Sequence, residues 1–176
     1  MIERMKELNI APKYDCIGLV DADLLDNGTR HPNLVLLKLA GYFRDHGIPY
    51  ELIIDAEAKL ECYKRVYLSR VFAFTTLPKF VTDFQEKYPD SWKDKLQMGG
   101  TGFYATEEDR EKFDKMRLED MTKLNIDPFL PGFSMAHQMP DYYIYVPYIE
   151  REVENKVTEE CKKIEKKNGA TPTEDE

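Results

Sequence analysis

Cysteine is scarce and poorly placed for metal chemistry. Cys16, Cys62 and Cys161 are the only three in 176 residues. They are far apart and lack the C-x-x-C spacing of zinc or iron–sulfur ligands, so they read as structural thiols of a reducing compartment. Positive charge is also short: 25 Lys and Arg stand against 33 Asp and Glu, for a formal net charge of −8. Affinity for a phosphate backbone comes from clustered cations that release counterions. Lysines cluster only near the carboxyl terminus, mixed with glutamates as on a solvated helix face. No apolar run reaches the roughly 18 residues of a membrane span, and "MIERMKELNIAPKYD" has no secretion-signal core. These absences predict a cytoplasmic protein with no membrane or nucleic-acid partner. Glycine is thin as well, nine in all. The loop after the first apolar segment, residues 21–33, carries neither G-x-G-x-x-G nor the G-K-[ST] of a P-loop, so phosphate binding there is weakly supported.

Against that background, the hydrophobic residues, 42% of the chain, fall into short periodic segments. "YDCIGLVDA", residues 14–22, is apolar and bounded by polar residues, as in a strand covered on both faces. "NLVLLKLAGYFRDHG" is a mostly apolar helix, with Asn33 or Thr29 to cap its start and Gly47 where a helix stops in a left-handed conformation. "YELII", 50–54, predicts a second strand and "RVYLSRVFAF", 65–74, a third rich in β-branched and aromatic residues. The intervening "AEAKLECY" is long enough only for a short helix or turn. "LPKFVTDFQEKY" spaces Phe80, Phe84 and Tyr88 along one helical face after Pro78, and "DKLQM" predicts a short fourth strand. That order predicts an α/β fold, an open, mostly parallel Rossmann-like sheet with flanking helices.

Beyond residue 104 the pattern changes. "TEEDREKFDKMRLEDMTKL" predicts a surface helix inserted at about 106–125. "IDPFLPGFSMAHQMPDYYIYVPYI", with four prolines, suits an extended segment pinned across the body. Ile149, Val153, Val157, Cys161 and Ile164 make a narrow stripe on an added C-terminal helix over 149–167, facing its own domain or a partner helix. The expected organisation is an amino-terminal extension (1–13), a Rossmann-like domain (14–148), that helix, and a disordered tail (168–176).

In an open parallel sheet, ligands sit beyond the carboxyl ends of the strands. Two loops fall there. The first carries Asp21, Asp23, Asn27, Thr29, His31 and Asn33, and the second carries Gly99, Gly100, Thr101 and Gly102. Bare glycine backbone serves either a close-approaching ligand or a tight turn. Asp21, Asp23 and Asp26 with His31 offer carboxylates and an imidazole to a hard metal or to acid–base chemistry, but acidic residues at strand ends and helix starts also serve solubility and the helix dipole. His31 and His137 read equally as loop residues bonded to backbone. No nucleophile stands in a Ser-His-Asp or Cys-His arrangement, so no catalytic residue is assigned.

"IGLVDADLLDNGTRHPNLVLLKLAGYFRDHG", "YKRVYLSRVFAFT", "GGTGF" and "HQMPDYYIY", taken in order, resemble the amino-terminal region of a group of bacterial radical S-adenosylmethionine proteins. In that group a cobalamin-binding-like, Rossmann-like domain precedes a catalytic barrel. The resemblance covers roughly residues 14–146. It implies that fold, with the glycines where related domains meet a cobalamin tail or a neighbouring domain. It also implies a C-x-x-x-C-x-x-C cluster motif after the "MPDY" segment. Here a charged helix follows instead, so no [4Fe–4S] cluster of that type is ligated within this chain. The D-x-H-x-x-G signature of base-off cobalamin binding is missing too. Three readings follow: a stand-alone domain that binds a protein partner, a separate radical enzyme or another regulated target; a binding module for cobalamin, S-adenosylmethionine or a nucleotide; and an autonomous metal enzyme using Asp21, Asp23 and His31.

Overall fold

The structure, a computed structural model, describes residues 15–28, 31–104, 108, 111 and 129–168. The amino-terminal extension, Thr29, nearly all of the 106–125 segment and the tail from 169 lie outside the described residues. The chain forms two compact units, 1–141 and 142–176.

The first unit is built on four parallel strands: β1 (Ile17–Asp21), β2 (Tyr50–Leu52), β3 (Arg65–Ser69) and β4 (Leu96–Gly99). Their spatial order is β2-β1-β3-β4, every pair parallel. The fold is thus an open α/β, Rossmann-like sheet whose connections change direction between β1 and β3, the topological switch point. β1 and β3 are buried along their whole lengths, as central strands covered on both faces must be.

Two sets of side chains cover the sheet. On one face, Val20, Val66 and Leu68 pack with Leu60, Phe80, Val81 and Phe84, the last three from helix α3 (Lys79–Lys87). On the other lies α2 (Leu34–Asp45), which buries Leu36, Leu37, Leu39, Tyr42 and Phe43, each large side chain contributing about 2 kcal/mol of burial. Phe43 packs 5.7 Å from Tyr67 between ring centroids. The sequence marks both ends of α2. Asn33 accepts from the amides of Val35 and Leu36. At the other end Gly47 (φ 63°) donates to the Arg44 carbonyl and Ile48 to that of Phe43, the paired bonds of a Schellman stop.

Residues 129–141 lie across α2. Tyr42 donates to the Pro131 carbonyl, Asp141 donates its amide to Leu37 at 2.8 Å, and Tyr50 donates to the Asp141 carboxylate. Gly41 lets the crossing come close: a Cβ there would stand 1.9 Å from the Met139 carbonyl oxygen.

β3 is shorter than its sequence pattern predicts. It ends at Ser69; the Arg70 amide still bonds the Gly99 carbonyl, and residues 71–74 leave the sheet. A short helix α4 (Trp92–Lys95) occupies the start of the segment expected as the fourth strand. The second unit holds a 3₁₀ turn (Tyr142–Tyr145) and helix α5 (Val146–Asn168). No described helix is long and apolar enough to cross a membrane.

Lys95, at the end of α4, is buried, and its ammonium donates to the Glu61 carbonyl at 2.6 Å. Burial lowers its pKa from the usual 10.5 to about 8. Below that value folding bears the full cost of a buried ammonium. Between the two values the unfolded chain binds the extra proton, so stability rises with pH. Lys95→Met should therefore stabilise the protein by roughly 1–2 kcal/mol near pH 7, net of the lost hydrogen bond, and by less near pH 10. Urea unfolding at both pH values checks this, and an equal difference at the two would refute it.

Candidate functional site

The carboxyl ends of β1 and β3 bring together most of the loop residues singled out in the sequence. Asp21 closes β1 and caps helix α1 (Ala22–Asn27), accepting from the Leu24 amide at 3.1 Å. Helix α1 then turns Asp23, Asp26 and Asn27 toward the segment leaving β3. The Asp23 carboxylate accepts from the amides of Val71 (2.7 Å) and Phe72 (3.2 Å) and from the Thr75 hydroxyl. Asp26 accepts from the Thr76 amide at 3.1 Å, and Asn27 donates to the Thr75 hydroxyl oxygen at 3.2 Å. Spacings of three and four residues put these side chains on one helical face. Asn33, besides capping α2, donates to the Ser69 hydroxyl at 2.8 Å.

The glycine loop meets the same segment from the other side. The Arg70 amide donates to the Gly99 carbonyl and the Gly102 amide to the Arg70 carbonyl, both at 3.0 Å. Thr101 donates its hydroxyl to the Val71 carbonyl at 2.8 Å. A Cβ on Gly100, whose φ is 114°, would stand 2.2 Å from the Arg70 carbonyl oxygen, and one on Gly102 would stand 2.7 Å from that of Phe72. The space beside these two glycines is filled by the protein's own backbone. A Cβ on Gly99 meets nothing within 4 Å.

The polar groups at the switch point thus hold residues 70–76 in place. Asp21, Asp23, Asn33, Ser69 and Thr75 are buried. His31 is exposed. Among the described residues, no group of three or more His, Cys, Asp or Glu is arranged to hold a metal ion.

What the held segment presents is apolar. Phe72 and Phe74 are 44% and 73% exposed. Their rings stack at 5.3 Å with 14° between planes. Arg70 stiffens the turn beneath them, donating to the carbonyls of Phe72 and Ala73 with its guanidinium 5.1 Å from the Phe103 ring. Val71 is exposed beside them. Reading 65–74 as a single strand assigned these side chains to the sheet. The i, i+3, i+4 spacing of Asp23, Asp26 and Asn27 on a short helix is the signal that a neighbouring loop is being held.

A groove of about 530 Å³ adjoins the clasp between α1 and the start of α3, sharing Asp26 and Thr76 with it and lined also by Leu25, Leu77, Pro78 and Lys79. No family model, curated protein or solved structure matches this chain.

Two outcomes test the clasp. Asp23→Asn keeps the shape but cannot satisfy three donors in the same way, so it should cost about 2 kcal/mol, since each buried donor left unpaired costs 1–3. The Val71 and Phe72 amides should then exchange faster by hydrogen–deuterium measurement, while those of β1 keep their protection relative to the global stability. In parallel, Gly100→Ala and Gly102→Ala should each lose about 2 kcal/mol or more, whereas Gly99→Ala should stay within about 1 kcal/mol of the parent in the same melts.

Proposed function

We propose that this chain is a non-catalytic, protein-binding domain that docks through the Phe72–Phe74 turn at the carboxyl edge of its sheet. The observation that carries this reading is a pair of exposed, mutually stacked phenylalanines on a segment fixed from beneath by Asp23 and from the side by Gly100 and Gly102. A rigid aromatic knob loses little conformational entropy on docking, which is why such residues anchor protein interfaces. The polar residues that a ligand or substrate at the switch point needs are engaged with the chain itself. The resemblance to the leading domain of radical S-adenosylmethionine proteins supplies the partner class: a radical enzyme's catalytic barrel carried on a separate polypeptide. In that role the domain contributes a surface and no iron–sulfur cluster.

A second reading, a small-molecule module, draws on the groove beside Asp26 and Lys79. Cobalamin, S-adenosylmethionine and nucleotides are its candidate ligands. Gly100→Val does not discriminate between the two readings, because the new side chain strikes Arg70 whether or not a ligand binds.

Thermal-shift titration of the purified protein separates the two. The protein-binding reading expects no saturable shift with any of the three ligand classes. A ligand at about a hundred times its dissociation constant stabilises by roughly 2.7 kcal/mol, so a shift abolished by Lys79→Glu would establish the groove instead. A photo-crosslinking residue in place of Phe74, read in the native cell, should label a polypeptide bearing the C-x-x-x-C-x-x-C motif, and Phe72→Ser should remove the product. Labelling unchanged by Phe72→Ser would overturn the proposal.

A further inference from the structure

Helix α1 ends on an exposed Asn–Gly pair. Asn27 is its last residue, and Gly28 follows in the left-handed conformation (φ 61°), its amide donating to the Leu24 carbonyl at 3.0 Å. In an Asn–Gly pair the backbone nitrogen attacks the preceding side chain more readily than in other pairs, because glycine has no Cβ to hinder the approach. The sequence holds one other such pair, Asn168–Gly169.

Asn27 also has a place in the clasp. Its Nδ2 donates to the Thr75 hydroxyl oxygen at 3.2 Å, while Thr75 gives its hydroxyl proton to Asp23. Asp23 is buried and accepts in addition from the amides of Val71 and Phe72. Thr75 thus meets an acceptor on one side and a donor on the other, and both come from α1. A hydroxyl has a single proton, so a carboxylate at position 27 would face the Thr75 oxygen with none to give and none to receive. It would also join Asp23 and Asp26 as a third negative charge on one short helical face.

We propose that Asn27 is a self-modification site whose conversion loosens the turn between β3 and α3. The Gly28 nitrogen loses its proton and bonds to the Asn27 Cγ; the Cγ–Nδ2 bond breaks and ammonia leaves. Water then opens the five-membered imide at either carbonyl. The product at position 27 is aspartate or, with the main chain rerouted through Cβ, isoaspartate. Water is the co-reactant, and nothing is oxidised or reduced. In the closed clasp both groups are engaged, Nδ2 with Thr75 and the Gly28 amide with Leu24, so the attack awaits a transient opening of the last turn of α1. The inference concerns how the turn is held, and stands whether or not Phe72 and Phe74 dock a partner.

Peptide mapping of the full chain by mass spectrometry, after ageing near neutral pH, follows positions 27 and 168 in one digest. Position 27 should convert more slowly in the folded protein than in urea. Thr75→Ala removes the partner of Nδ2 and should speed the conversion by about threefold or more, with the rate at 168 unchanged. Hydrogen–deuterium exchange reads the consequence. In the converted protein and in Asn27→Asp, the Val71 and Phe72 amides should exchange about tenfold faster, with the β1 amides as the check that the fold is intact. Asn27→Gln, whose longer side chain closes to an imide far more slowly, should keep its mass and show no drift in exchange on ageing. Equal rates at 27 in the folded and unfolded chain, a rate indifferent to Thr75→Ala, or a converted protein that exchanges like the parent would each overturn the proposal.

Discussion

One buried carboxylate organises the carboxyl edge of this sheet. Asp23 accepts from two successive amides and a hydroxyl of the segment leaving β3. Those donors would otherwise be left unsatisfied beneath a turn that cannot rejoin the sheet. Without that acceptor Val71 and Phe72 lose the partners that draw them away from the strand. With it, their side chains and that of Phe74 stand outside the core. Charge and burial are opposed in most carboxylates; here three donors offset the desolvation that burial imposes.

The glycines answer to the same segment. Their bare backbone admits Arg70 and Phe72, and the exchange of amide and carbonyl between Arg70, Gly99 and Gly102 prolongs the β3–β4 pairing past the last strand residues. The loops after β1, β3 and β4 therefore behave as one interlocked layer. Such a layer holds the turn between β3 and α3 in one position.

Much of the fold was legible because its signals are local. The apolar run at Ile17–Asp21, the Asn33 cap and the Gly47 stop each act within a few residues of where they are written. The end of β3 was not legible, because Val71, Phe72 and Phe74 continue a strand-like composition and the group that turns them aside lies 48 residues away in sequence. For the same reason Asp21 and Asp23 read as candidate ligands, although their oxygens serve a helix cap and a loop. Lys95 gave no signal in a lysine-rich chain, since only tertiary packing buries it.

Gly41 carries a consequence for the order in which the protein assembles. A glycine in mid-helix costs α2 roughly 1 kcal/mol of intrinsic helical preference. It leaves a slot that only the backbone near Met139 fills. Joining Leu37 to Asp141 closes a loop of about a hundred residues, and such closure is entropically unfavourable until the helix beneath is already formed. Loop closure thus favours docking of the 129–141 segment after the sheet and α2 have formed, as a strap that seals them.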